Sequence, residues 1–175
     1  VKNAKRYMMA ETPDFSAART AIEEAIATAP TAETYYWAGM IGYQELTQEN
    51  YNQMLGKGVN QAVAGQAVVE SYDYWLDADR LAMIPTLDKK GREVVDTKTR
   101  ANITKKMLEY YKQQELVKYG IYLNEQRDFE GAYKVFKKHI EIPELDMMQN
   151  DFLYNDTAPT GIYTQYKYYT AIFAV

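Results

Sequence analysis

Few side chains in this sequence could do covalent or acid–base chemistry. His139 is the single histidine, cysteine is absent, and the serines are Ser16 and Ser71 alone. Neither serine sits in a glycine-flanked elbow or at motif spacing from His139, so a serine nucleophile has no evident base. Without cysteine, disulfides, thiolate zinc sites and cysteine nucleophiles are excluded, and one histidine cannot build a multi-histidine metal centre. His139 could act as a pH switch, but its position on a helix face reads better as a packing histidine. Glu23 with Glu24, and Asp77 with Asp79, suggest a general acid and base. Adjacent helical residues diverge by about 100°, however, so these pairs do not converge on one substrate and read as solvated faces. Trp37, Trp75 and Tyr72 could stack on sugar rings, although packing between helices uses the same residue types. Lys89-Lys90-Gly91-Arg92 reads as a solvated basic turn. The expectation is a protein that is not an enzyme, with no catalytic residue, no metal and no cofactor.

Composition narrows the classes further. Of 175 residues, 47% are hydrophobic and 25% charged, the balance of a folded chain. The net charge of −4 gives no general basic footprint, so no nucleic-acid partner is expected. No apolar run approaches the roughly 20 residues of a membrane helix, so no membrane insertion is expected either. Tyrosine stands out at 17 residues. It combines apolar area with a polar tip and suits both helix packing and binding surfaces.

The elements that must position these residues read as helices. Alanine, glutamate, lysine and glutamine are common, strand alternation is scarce, and proline and glycine punctuate. A helix capped by Asp14 carries Ala18, Ile22, Ala25 and Ile26 on one face and ends at Pro30. The next starts at Thr31, with Gly39 and Gly42 small enough to admit a neighbouring helix. A third spans roughly 61–84, with Val68, Tyr72, Trp75, Ala78 and Leu81 in a stripe. Residues 85–96 read as a loop. One long helix is expected over about 98–125, and a further one capped by Asp128 presents Phe129, Ala132, Phe136 and Ile140 inward. A last helix is expected from about Thr160. Pro30, Pro85 and Pro143 lie 55 and 58 residues apart, and each closes a helix that follows another helix, a near-constant period of helix pairs. Val1 and the apolar run Ala171–Val175 both lack caps, which reads as a piece of a longer array.

These residues resemble the tetratricopeptide repeat family. Asp14-Phe15-Ser16-Ala17-Ala18 is similar to the start of a B helix, with Phe15, Ala18, Ile22, Ala25 and Pro30 at its signature positions, and Gly39 is at the small position of the next A helix. Gly120, Phe129, Ala132 and Phe136 match a later unit. His139 stands there where a small residue is usual, and the middle unit exceeds the roughly 34-residue repeat by about 20. The resemblance implies an all-α, right-handed α-solenoid of antiparallel helix pairs with lengthened middle repeats. Its units are 1–30, 31–85, 97–143 and a truncated 160–175. The swollen, tyrosine-rich repeats also resemble exported repeat proteins of Bacteroidetes-type bacteria, which implies a periplasmic or envelope setting, the alternative being cytoplasmic.

In this family the A helices line a concave surface. Carried over by position, the ligand-facing residues are Glu33, Tyr36, Met40, Tyr43 and Gln44 in one unit and Gln114, Val117, Ile121, Asn124 and Glu125 in the next, with Tyr168 and Ile172 in the last. The resemblance implies a non-enzymatic scaffold or adaptor whose apolar-aromatic groove takes another protein or a peptide segment. That inferred set contains no cation, so a carboxylate ligand would lack a counter-charge. The alternative is a glycan or small-ligand module using exposed aromatics. The apolar C-terminal helix is expected to pack on the preceding pair or to mediate a dimer.

Overall fold

A computed structural model of the chain describes residues 1–149. Among these the chain is mostly helical, with seven α-helices and one minimal hairpin, so the all-α expectation holds. The chain divides into two compact units, Val1–Ile103 and Thr104 onward.

The first unit opens with α1 (Lys2–Met8) and α2 (Phe15–Thr28). Asp14 caps α2 by accepting from Ala17 N at 2.9 Å, as its sequence position predicts. Ala18 and Ile22 form the buried edge of α2. Helix α3 (Ala32–Met54) starts at a reciprocal capping box in which Thr31 and Thr34 satisfy each other's backbone amides. Helix α4 (Gln61–Ala82) is capped by Asn60, whose side chain accepts from Val63 N. Between them, Gly56 and Gly58 take positive φ values of 72° and 80°, which turns the chain sharply in open space.

Helices α3 and α4 form the principal pair. Gly39 lies under the Trp75 ring, Gly42 against Ala67 O and Ser71 Oγ, and Glu49 accepts from Asn60 N at 2.7 Å. The contacts therefore run in opposite order along the two helices. On α4, Trp75, Tyr72, Val68 and Ala78 are fully buried. Glycine is required at position 42 because a Cβ there would meet the backbone of α4, which no rotamer change relieves. Gly42→Ala would gain about 1 kcal/mol of helix propensity but overpack the pair by about 1–3 kcal/mol or more. The expected result is net destabilisation, read as a lower urea midpoint. An unchanged or raised midpoint would mean that the helices do not approach this closely.

Residues 85–96 are more ordered than the loop expected of them. Strands β1 (Thr86–Leu87) and β2 (Glu93–Val94) pair antiparallel, with Thr86 opposite Val94. Asp88 organises the tip: its Oδ1 accepts from Lys90 N and Arg92 N, and its Oδ2 from the Arg92 guanidinium at 2.7–2.8 Å. The bonds from Arg92, first its backbone amide and then its side chain, hold the Asp88 carboxyl below its ordinary pKa. Asp79 also departs from the solvated face expected of it. It is only 8% exposed and receives Nε and Nη2 of Arg100 at 2.7 and 2.8 Å.

The helix expected over 98–125 is two helices. Helix α5 (Thr97–Gln113) ends where Gln114 adopts a left-handed conformation (φ 57°), and α6 (Glu115–Glu125) begins at the next residue. The hydrophobic stripe passes through this break, which is why periodicity alone joined the segments. In the second unit, α6 packs on α7 (Phe129–Glu141) through Val117, Leu123, Ala132 and Phe136. Gly120 lies directly under the Phe136 ring. Asp128 caps α7 by accepting from Gly131 N at 2.9 Å. The inward face of α7 is Ala132, Val135, Phe136 and His139; Phe129, expected to face inward, is half-exposed. Short 3-10 turns follow at Ile142–Glu144 and Asp146–Met148. The helix expected from Thr160, with Tyr168 and Ile172, lies outside the described residues.

Candidate functional site

Helix α3 carries five of the positions expected to meet a partner. Glu33, in its first turn, is exposed and pairs loosely with Lys5 of α1 at 3.5 Å. Tyr36 is half-buried, and its ring meets Trp37 edge-on at 5.4 Å. Tyr43 and Gln44 are also half-buried, with Tyr43 leaning towards Trp75 at 6.2 Å. Met40 differs from the expectation: it is 8% exposed, turned into the packing between helices, and offers almost no surface to a ligand.

In the second unit the expected set is split by the break at Gln114. Gln114 is the left-handed residue between α5 and α6 and not a position within a helix. Val117 is 5% exposed because it belongs to the core with Ala132 and Phe136. Ile121 is 50% exposed, Asn124 is intermediate and Glu125 is exposed. The accessible subset is therefore Glu33, Tyr36, Tyr43 and Gln44 on α3, and Ile121, Asn124 and Glu125 on α6. These two groups lie in different units.

A second feature of the first unit escaped sequence reasoning. Arg19 on α2 reaches two carboxylates on two other helices. Its Nε donates to both oxygens of Glu70 at 2.9 and 3.0 Å, and its Nη2 donates to Glu70 Oε2 at 2.5 Å and to Glu45 Oε2 at 2.6 Å. The bonds to Glu70 are the largest influence on this guanidinium and hold its pKa above the ordinary value against the opposing effect of burial. Arg19, Glu45 and Glu70 line an open cleft of about 420 Å³ together with Val63 and Gln66. One turn beyond Glu70, Tyr74 packs against Tyr35 with ring centroids 6.1 Å apart. Burial first, and then the charges of Glu70 and Glu23, push the Tyr74 phenol above its ordinary pKa. Arg19 is separated from its partners by 26 and 51 residues, beyond the reach of any local motif.

No family model, curated protein or solved structure matches this chain. The site is therefore read from its own geometry.

That geometry weakens the sugar-stacking alternative. Trp75 and Tyr72 are fully buried, and the Trp75 Nε1–H donates to Tyr36 O at 3.3 Å. Trp37 is half-buried, and Lys5 Nζ lies 3.8 Å from the centre of its ring. A sugar would have to displace a cation–π contact to stack on that face. His139 is buried on α7 and stacks on Tyr111, with centroids 4.7 Å apart and planes 9° apart. Burial lowers its pKa to about 4. The described residues bring no three metal-ligating side chains together, and none of their helices is long and apolar enough to cross a membrane.

Proposed function

We propose that the chain is a non-enzymatic interaction module, a tetratricopeptide-like α-solenoid of antiparallel, right-handed stacked helix pairs that binds another protein or a peptide segment. The observation that carries this reading is the division of labour on α3. One side of the helix is locked against α4 through Gly39, Gly42 and Trp75. Around the buried Met40, the same helix presents Glu33, Tyr36, Tyr43 and Gln44, partly exposed, on a rigid element. Amphipathic side chains held in place by a packed helix suit recognition of a partner segment, because little ordering entropy is lost on contact.

The test is capture from envelope and cytosolic extracts of the source organism, comparing the wild type with Tyr36→Ala/Gln44→Ala. Both side chains lie outside the buried core, so the double variant is expected to keep its helicity. A protein retained by the wild type and lost by the variant is the expected result. Equal retention by both would move the interface off α3.

A further inference from the structure

We propose that the cleft between α2, α3 and α4 receives the cationic side chain of a lysine or arginine carried by the partner segment. The inference rests on the interaction reading above and specifies the chemistry of the partner. The cleft is a built concavity: α2 supplies Arg19, α3 supplies Glu45, and α4 supplies Val63, Gln66 and Glu70 on one stripe. Its volume of about 420 Å³ falls within the range of ligand clefts and accommodates a long side chain.

The charges in the cleft do not balance. A single guanidinium serves two carboxylates, so one negative charge remains after Arg19 is counted. Glu70 is engaged through both oxygens, whereas Glu45 is engaged through Oε2 alone, leaving Oε1 to accept a further bond. The field extends beyond the pair. Burial first, and then Glu70 on α4 and Glu23 on α2, raise the pKa of the neighbouring Tyr74, while Arg19 acts against them. An anion entering the cleft would meet this surplus unpaired. A divalent metal would find two carboxylates already committed to Arg19 and too few free oxygens. A lysine ammonium or an arginine guanidinium supplies the missing charge and donors. Its aliphatic stem has Val63 to lie against.

The experiment follows backbone amide shifts by NMR during titration with Nα-acetyl-lysine methylamide and Nα-acetyl-arginine methylamide. Nα-acetyl-citrulline methylamide is the neutral isostere, and Nα-acetyl-glutamate methylamide is the anionic control. The expected result is saturable, salt-sensitive shifts at the amides of Arg19, Glu45, Val63, Gln66 and Glu70 with the two cations only. Glu45→Gln keeps the two-oxygen contact of Arg19 with Glu70 and should weaken the cation roughly two- to fivefold. Gln66→Glu, at an exposed position on the cleft wall, should strengthen it by a similar factor. Three results would each overturn the proposal: no localised shifts, equal shifts with citrulline, or indifference to both variants. If such a result accompanied a partner that is lost on Tyr36→Ala/Gln44→Ala, the interaction reading would stand and only the cationic specificity would fall. Localised cation shifts without capture of any partner would support the cleft and leave the α3 surface without a partner.

Discussion

Trp75→Ala is expected to cost about 3–5 kcal/mol, the range for deleting a fully buried aromatic. The residue is 0% exposed, its ring fills the space above Gly39, and its indole N–H satisfies the Tyr36 carbonyl. Truncation would therefore open a cavity and remove a side-chain bond that supplements the intrahelical one at the Tyr36 carbonyl. Domains of this size hold only about 5–15 kcal/mol in total, so the variant should unfold at a much lower urea concentration. Trp75→Phe separates the two contributions. It keeps an aromatic ring over the glycine and loses the hydrogen bond, and should cost about 1–3 kcal/mol. Urea denaturation followed by circular dichroism checks both. Equal losses for Phe and Ala would show that the bond to the carbonyl matters more than the packing.

The second large effect is a dependence on pH. His139 has a folded-state pKa of about 4, lowered from 6.5 by burial. Between those values the unfolded chain binds the proton more readily, so the native state loses stability as pH falls. The contribution is complete above about pH 6.5, declines through the window and is lost by about pH 4. It amounts to roughly 3 kcal/mol at about 1.4 kcal/mol per pH unit. Because His139 is the single histidine, its ring proton resonances are unambiguous. Their titration in the folded protein should centre near the acid end of the window. His139→Phe preserves the aromatic contact with Tyr111 and should flatten the stability profile between pH 6.5 and 4. A folded-state titration near 6.5 would mean that the imidazole is hydrated.

The sequence made the helices legible wherever a cap preceded an amphipathic run. Asp14, Thr31, Asn60 and Asp128 each stand at the start of a helix, and each side chain accepts a backbone amide there. Gly39 and Gly42 were readable as points of close approach because small residues recurred on one face of a long helix. The break at Gln114 was hidden because a non-glycine residue occupies the left-handed conformation, and neither proline nor glycine marks it. Asp79 was misread as solvated because its partner Arg100 lies 21 residues away, across the small hairpin. The site was the least legible part. Met40 and Val117 sat at positions expected to face a ligand, but an apolar residue at such a position can equally turn inward, and both did. The cleft was invisible for a related reason: three helices supply its charges, and no spacing in one dimension encodes their convergence.

The Arg19 bridge also bears on the order of events during synthesis. Its partners follow it by 26 and 51 residues. At roughly 5–20 residues per second, the ribosome needs about 3–10 s after making Arg19 to add Glu70. Until then α2 can be helical and can rest on α1, but its guanidinium has no settled place. The N-terminal helices of the first unit therefore cannot finish folding in the order in which they are made. They wait for α4 to arrive, and a chain stalled before Glu70 would expose a loosely held amino-terminal segment to proteases.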